Sequence, residues 1–269
     1  MIPLWWGMTN LMFMEDQSNN RRSFIKSASI GAVAAISIPQ IVTSALAAAP
    51  KGKKISIEQG DVILFQGDSI TDSGRGRRND WSPNDAGAMG NGYALMAAGQ
   101  LLLQNPGKDL KIYNKGISGN KVYQLADRWD ADTLTVKPNI LSIHIGVNDY
   151  WHTLNGSYKG TIDNYIADYK KLLDRTKAAL PNVKLIICEP FGVLNVKSVT
   201  KDWYPTFDLF KKAARDIADE YNAPFVPYQA AFDKAITQAP PAYWTGDGVH
   251  PSIAGAALMA ETWLKAVKA

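Results

Sequence analysis

The sequence holds a single cysteine, Cys188, among 269 residues. One thiol excludes an internal disulfide framework and any site built on several thiolates. Cys188 closes the apolar run Leu185-Ile186-Ile187, where a thiol packs as a small hydrophobe. Only three histidines are present, and no set of His, Cys, Asp and Glu has metal-ligand spacing, so no metal is expected. Charge excess is small, a formal +4 for the whole chain and +3 beyond residue 49. That balance is too mild to attract nucleic acid or an anionic membrane. The one basic cluster, Arg75, Arg77 and Arg78, reads as a solvated loop. There is no internal repeat, no heptad pattern and no low-complexity segment beyond the first 49 residues. A Gly-rich phosphate loop is also missing after the first strand, where the acidic Asp68 stands instead, which argues against a nucleotide or flavin binder.

Residues 1–49 read as a leader. Asn20-Arg21-Arg22-Ser23-Phe24-Ile25-Lys26 precedes a mild apolar stretch, Ala28 to Ile38, and then the small-residue run Ser44 to Ala49. Charged, apolar and small regions in that order make an export signal, and the paired arginines point to the twin-arginine route. The apolar stretch falls short of the ~18–20 residues that cross a bilayer, so no stable membrane insertion is expected after cleavage. Cleavage after Ala47 fits an A-x-A site, with Ala48 or Ala49 as alternatives. An N-terminal anchor that is never cut is the competing reading, and Met14 is an alternative start. A periplasmic or secreted protein follows. Residues 50–60 are basic and polar and read as a tether. The remainder, 61–269, is long enough for one domain with a good core.

Along that domain, apolar runs alternate with amphipathic segments. Strands are expected over Asp61 to Gln66, Lys111 to Tyr113, Ile140 to Ile145, Val183 to Cys188 and Phe225-Val226. Helical spacing joins Tyr93, Met96, Ala97 and Leu101, and another helix covers Val122 to Trp129. A helix opened by Thr161 closes before Pro181, one opens at Pro205, and a last one carries Ile253, Ala257, Ala260 and Leu264. Residues 71–92 read as a long loop. Strand and helix in alternation mean a parallel sheet covered on both faces, an α/β fold.

Four polar stops carry the chemistry. Gly67-Asp68-Ser69-Ile70-Thr71, Asn114-Lys115-Gly116 and Gly146-Val147-Asn148-Asp149 each follow a strand, and Asp247-Gly248-Val249-His250-Pro251 precedes the last helix. In a parallel sheet the strand ends share one edge, so these stops can converge. A serine hydroxyl needs a base, and His250 can serve Ser69. Asp247, three residues before His250 across a glycine turn, can accept from the other ring nitrogen. The oxyanion formed on an ester would be met by the N–H groups of Ser69 and Gly116 and by the Asn148 amide. His144, mid-strand in an apolar run, reads as a hydrogen-bonded core histidine.

Taken together, GDSIT, NKGISG, GVND and DGVHP resemble the four signature blocks of the SGNH hydrolases, the GDSL-type esterases and lipases, over residues 60 to 268. The resemblance implies a flavodoxin-like three-layer α/β/α fold with a five-stranded parallel sheet. It implies Ser69, Asp247 and His250 as catalytic residues, with Ser69, Gly116 and Asn148 as the oxyanion hole. No metal or organic cofactor is implied. Export, the Gly-Asn loop after Ser69 and the aromatics beside the blocks make the chain similar to members that deacetylate carbohydrates, with a small-molecule or polysaccharide ester as substrate. Tyr150, Trp151, Tyr243 and Trp244 are candidates to stack on sugar, and Asp68 is a further candidate at the substrate. A lysophospholipase or thioesterase of the same superfamily, and a non-catalytic glycan-binding module, are the competing readings.

Overall fold

In the computed structural model, which describes residues 37–47, 54–77 and 82–267, five strands form one sheet. They are β1 (Val62–Gly67), β2 (Lys111–Asn114), β3 (Ile140–His144), β4 (Lys184–Cys188) and β5 (Phe225–Val226), in the order β2-β1-β3-β4-β5. All the pairings are parallel. The strands carry almost continuous apolar sequence because helices cover both faces of the sheet. Ile63, Leu64 and Phe65 of β1 and the whole of β3 are buried.

One covering layer holds helices Tyr93–Gln104, Tyr228–Ala235 and Ile253–Val267, and the other holds Val122–Asp127, Ile162–Ala179 and Thr206–Glu220. Each layer is pinned by a buried tryptophan with a satisfied N–H. Trp263 packs on Phe65 with ring centroids 5.0 Å apart and donates Nε1–H to Ser142 Oγ at 2.9 Å. On the other face Trp129 donates to Thr176 Oγ1 at 2.9 Å. Large aromatic area is buried this way without an orphaned donor. The α/β/α arrangement with five parallel strands is the fold that the alternation of elements predicts.

Register decides where the site forms. Phe65 pairs with Asn114, Gly67 with His144, and His144 with Cys188. The carboxyl ends of β2, β1, β3 and β4 therefore lie side by side, and the first three polar stops leave from one rim. His144 and Cys188 are core groups, as their apolar runs predict. Burial pushes the His144 ring down to about 4 and the Cys188 thiol up to about 12. His144 Nε2 donates to the Glu189 carbonyl at 3.1 Å.

Several expectations are corrected. The expected tether is not loose over its described part: Ile55 and Ile57 are buried, and the Ile55 N–H donates to the Val267 carbonyl. The paired arginines, Arg21 and Arg22, and residues 48–53, which include Ala48 and Ala49, lie outside the described residues. Residues Ile38–Ala47 of the leader form a helix whose Ile41, Val42 and Ala45 are buried against helices 228–235 and 253–267. The expected loop over 71–92 contains helical turns at Ser69–Asp72 and Ala86–Met89. Two of its three arginines are engaged, Arg77 pairing with Asp72 and Arg75 Nε donating to the Gly116 carbonyl at 2.7 Å, and Arg78 lies outside the described residues.

Glu189, the residue after β4, gives the fold a pH dependence. Burial pushes its carboxyl up to about 7 from 4.5, only partly offset by the Gln229 N–H that donates to it. The folded state then holds this proton over a range where the unfolded chain releases it. Its contribution to stability is present at low pH and is lost as pH rises through about 7. Glu189→Gln is expected to remove that loss. Thermal melts should show the variant gaining on wild type as pH rises from about 5 to about 7.5, and a constant gap would refute the assignment.

Candidate active site

Gly67 ends β1 because nothing larger fits: a Cβ there would lie 2.3 Å from the His144 carbonyl oxygen and 2.4 Å from Thr71 Oγ1. The chain can thus turn sharply and place Ser69 at the start of a helical turn over the rim. Asp68 caps that turn, accepting from the Ile70 N–H at 3.0 Å. Some 180 positions later the DGVHP turn comes over the same rim. Asp247 Oδ1 accepts from the backbone N–H groups of Val249 at 2.9 Å and His250 at 2.7 Å. Its other oxygen takes the ring: His250 Nδ1 to Asp247 Oδ2 is 2.7 Å. On the far side of the imidazole, Nε2 is 2.8 Å from Ser69 Oγ. The structure thus brings Ser69, His250 and Asp247 into one hydrogen-bonded line.

That line fixes the proton arrangement. Burial opposes ionisation of Asp247, but hydrogen bonds from the His250 and Val249 N–H groups and the His250 ring outweigh it, and its pKa lies below the usual value. An ionised Asp247 accepts Nδ1–H, which leaves the Nε2 lone pair facing the hydroxyl proton of Ser69.

The expected oxyanion donors need one correction. The Gly116 N–H is already donated to Asn114 Oδ1 at 2.9 Å, and Gly116 is buried against Thr71 and Asp72. It cannot also serve a ligand. The second glycine of the same block is the open one. Gly119 has φ +81, nothing within 4 Å of a Cβ position, and an N–H that makes no hydrogen bond among the described residues. The Ser69 N–H likewise makes no hydrogen bond among the described residues. Asn148, on the first turn of helix Val147–Leu154, donates one Nδ2 proton to the Asn120 carbonyl at 3.2 Å and keeps the other. The sequence signal for this correction was present: Asn at 114 followed by Gly at 116 is an Asx-turn pattern that consumes the N–H two residues on.

Of the aromatic candidates, Trp151 stays at the site, partly exposed with its ring centroid 6.3 Å from that of His250. Tyr150 does not: it is 4 % exposed, packed on Trp203, Phe207 and Phe210, with its hydroxyl donated to the Asp202 carbonyl. Trp244 is equally buried, donates to the Ala239 carbonyl, and together with exposed Tyr243 lines a different cavity beside Ile38 and Met96. Asp68 is fully buried and acts as a helix cap rather than a ligand for substrate. Burial pushes both its carboxyl and that of Asp149 up to about 7.

The cleft over Ser69 and His250 has a volume of about 360 Å³ and is edged by Ser73, Asn91, Ser118 and Ile253. The cavity beside Ile38, about 760 Å³, is larger but contains neither Ser69 nor His250, so size does not mark the reactive place. Among the described residues no group of His, Cys, Asp and Glu could hold a metal ion, and no helix is long and apolar enough to cross a membrane.

Comparison with known proteins agrees with this geometry. An acetylxylan esterase of Geobacillus stearothermophilus is 35% identical over 218 residues, 79% of this chain and 96% of that protein. Its solved structure superposes with a TM-score of 0.68 at 34% identity, over 78% of this chain and 95% of that one. Catalytic mutants of that esterase replace a serine, an aspartate and a histidine, the last two three positions apart. A GDSL-like lipase from Parabacteroides merdae is 50% identical, with a TM-score of 0.78 over 80% of this chain and 98% of that one. The profile of GDSL-like lipases and acylhydrolases matches residues 65–258, the stretch that runs from the end of β1 past the DGVHP turn. The chain belongs to the GDSL-like lipase/acylhydrolase family and is a carboxylic ester hydrolase.

Proposed function

We propose that this hydrolase is an exported serine esterase that removes acetyl groups from carbohydrate through an acyl-enzyme. The observation that carries the reading is the line from Asp247 Oδ2 through His250 to Ser69 Oγ, with contacts of 2.7 and 2.8 Å. The acetylxylan esterase supports it, because its catalytic mutants replace the same residue types with the same spacing between Asp and His.

In the first step His250 Nε2 takes the hydroxyl proton as Ser69 Oγ attacks the acyl carbonyl. The carbonyl oxygen gains negative charge and is met by the N–H groups of Ser69 and Gly119 and by Asn148 Nδ2. His250 then hands its proton to the departing sugar oxygen. Water, deprotonated by the same ring, attacks the acyl-serine, and as the C–O bond to Ser69 breaks His250 Nε2 returns its proton to Oγ and the acid is released. Asp247 holds the tautomer throughout. A cleft of about 360 Å³ suits a short acyl group with a sugar hydroxyl outside it, and Trp151 offers a partly exposed ring face beside His250. The paired arginines Arg21 and Arg22 ahead of an apolar stretch support export by the twin-arginine route, which brings the enzyme to polysaccharide outside the cell's interior.

Acetate release from a panel of acetylated polysaccharides, run beside 4-nitrophenyl acetate and 4-nitrophenyl octanoate, tests the assignment. Release from acetylated xylan or a related glycan, with acetyl strongly preferred to octanoyl, is the expected result. Equal rates on the two chain lengths would favour a lysophospholipase or thioesterase and overturn the deacetylase reading.

A further inference from the structure

The three oxyanion donors come from three separate segments, and their spacing must be held by something other than the donors themselves. Ser69 follows β1, Gly119 lies in the loop after β2, and Asn148 begins the helix after β3. One side chain touches the supports of all three. Arg128, the residue after helix Val122–Asp127, sends its guanidinium beneath the rim. Its Nη2 donates to the Gly67 carbonyl at 3.3 Å, two residues before Ser69. Nη1 donates to the Lys115 carbonyl at 2.7 Å, at the start of the Gly119 loop. Nε donates to Asn120 Oδ1 at 2.8 Å, at the end of that loop. The Asn120 backbone carbonyl in turn accepts from Asn148 Nδ2 at 3.2 Å.

The guanidinium is itself held. Asp132 Oδ2 lies 2.8 Å from Nη1, and the Arg128 side chain is only 15% exposed. The Asp132 carboxylate also faces Lys115 Nζ at 4.0 Å. A planar fork with five donors can satisfy acceptors in several directions at once, whereas an ammonium reaches them as a single point. The loop from Lys115 to Asn120 is therefore closed at both ends by one rigid group that is also anchored to β1.

We infer that Arg128 is a positioning residue for the oxyanion hole, setting the separation of the Ser69, Gly119 and Asn148 donors by clamping Gly67, Lys115 and Asn120 to one another. Arg128 touches neither substrate nor the reacting atoms. Its effect runs through the donor geometry, so it acts on the transition state rather than on substrate binding. The inference rests on the serine-esterase reading given above, and the experiment separates the two.

Steady-state hydrolysis of 4-nitrophenyl acetate is measured for wild type, Ser69→Ala, Arg128→Ala, Arg128→Lys and Asn120→Ala. Displacing donors by a fraction of an ångström to about 1 Å should cost Arg128→Ala on the order of 10- to 100-fold in kcat, with KM within about twofold of wild type. Millimolar guanidinium should restore much of that loss in Arg128→Ala and none in Arg128→Lys, whose ammonium occupies the space. Should Arg128→Ala not fold, Asn120→Ala carries the test. It removes one acceptor of the clamp and leaves the Asn120 carbonyl, and its kcat should fall by roughly 10-fold at unchanged KM. An unchanged kcat in a folded Arg128→Ala or Asn120→Ala, a loss confined to KM, or a loss that guanidinium leaves untouched in Arg128→Ala overturns the inference. Full turnover in Ser69→Ala overturns the serine-esterase reading itself.

Discussion

Ser69→Ala is expected to bring hydrolysis of 4-nitrophenyl acetate to background, a fall in kcat on the order of 10⁶-fold, while the protein stays folded. The size follows from what Oγ does in the proposed mechanism. It forms the bond to the acyl carbon and gives its proton to His250, so its loss removes the chemical step rather than one of several aids to it. Stability is expected to change little, because the hydroxyl is not part of the structural framework. Among the described residues its hydrogen bond is to His250 Nε2, the residue is only partly buried, and the turn is capped by Asp68 rather than by Ser69. Substitutions of that kind stay within about 0.5 kcal/mol. The measurement pairs initial rates with a thermal melt. Turnover near wild type in the alanine variant would show that another nucleophile, or water directly activated by His250, performs the reaction.

Much of this arrangement is legible in the sequence because its determinants are local. Each strand is a short apolar run ending in a polar residue, and parallel connectivity alone brings the ends of such runs to one edge. The Asp247–His250 contact is a turn-scale feature, set by three positions of separation and by Gly248. What the sequence conceals depends on directions of side chains. Asn148, Tyr150 and Trp151 are near neighbours in the chain, but on a helix they point apart. Position 151 lies three residues after 148 and shares its face, with the Trp151 ring beside His250, while position 150 is turned inward onto Trp203 and Phe207. Adjacency to a catalytic residue is thus a poor guide to contact with substrate unless the helical phase is counted.

The two glycines of the second block differ in a similar way. Both allow close approach, yet Gly116 is closed off by the side chain of Asn114 and by packing on Thr71, while Gly119 is left open at positive φ. The supposed tether carried its own signal: Ile55-Ser56-Ile57 alternates with period two, the mark of a segment with one buried side. Arg128 left no comparable trace. It lies at the end of a helix, and nothing in its surroundings in sequence names Gly67, Lys115 and Asn120 as its acceptors. Long-range clamps of this kind are set by the fold and become visible only in it.

Asp247→Asn is expected to lower kcat by roughly 10⁴-fold, nearly as far as losing the base, although the substitution changes only one atom's identity. The wild-type carboxylate works with both oxygens. Oδ1 holds the Val249 and His250 N–H groups at 2.9 and 2.7 Å, and Oδ2 holds His250 Nδ1 at 2.7 Å. An asparagine has one carbonyl oxygen for these two duties. Two backbone donors compete with one ring donor, so the oxygen stays with the backbone and the NH₂ group turns to the imidazole. A donor facing Nδ1 requires Nδ1 to accept, and the neutral ring must then carry its proton on Nε2. That proton points at Ser69 Oγ, where a lone pair is needed, and the hydroxyl loses its base without any displacement of atoms. The turn keeps its backbone bonds, so the melting temperature should stay close to that of wild type. Nitrogen NMR of the ring should report the proton moving from Nδ1 to Nε2. A loss below about tenfold, with the Nδ1–H tautomer retained, would mean that Asp247 does not set the state of His250.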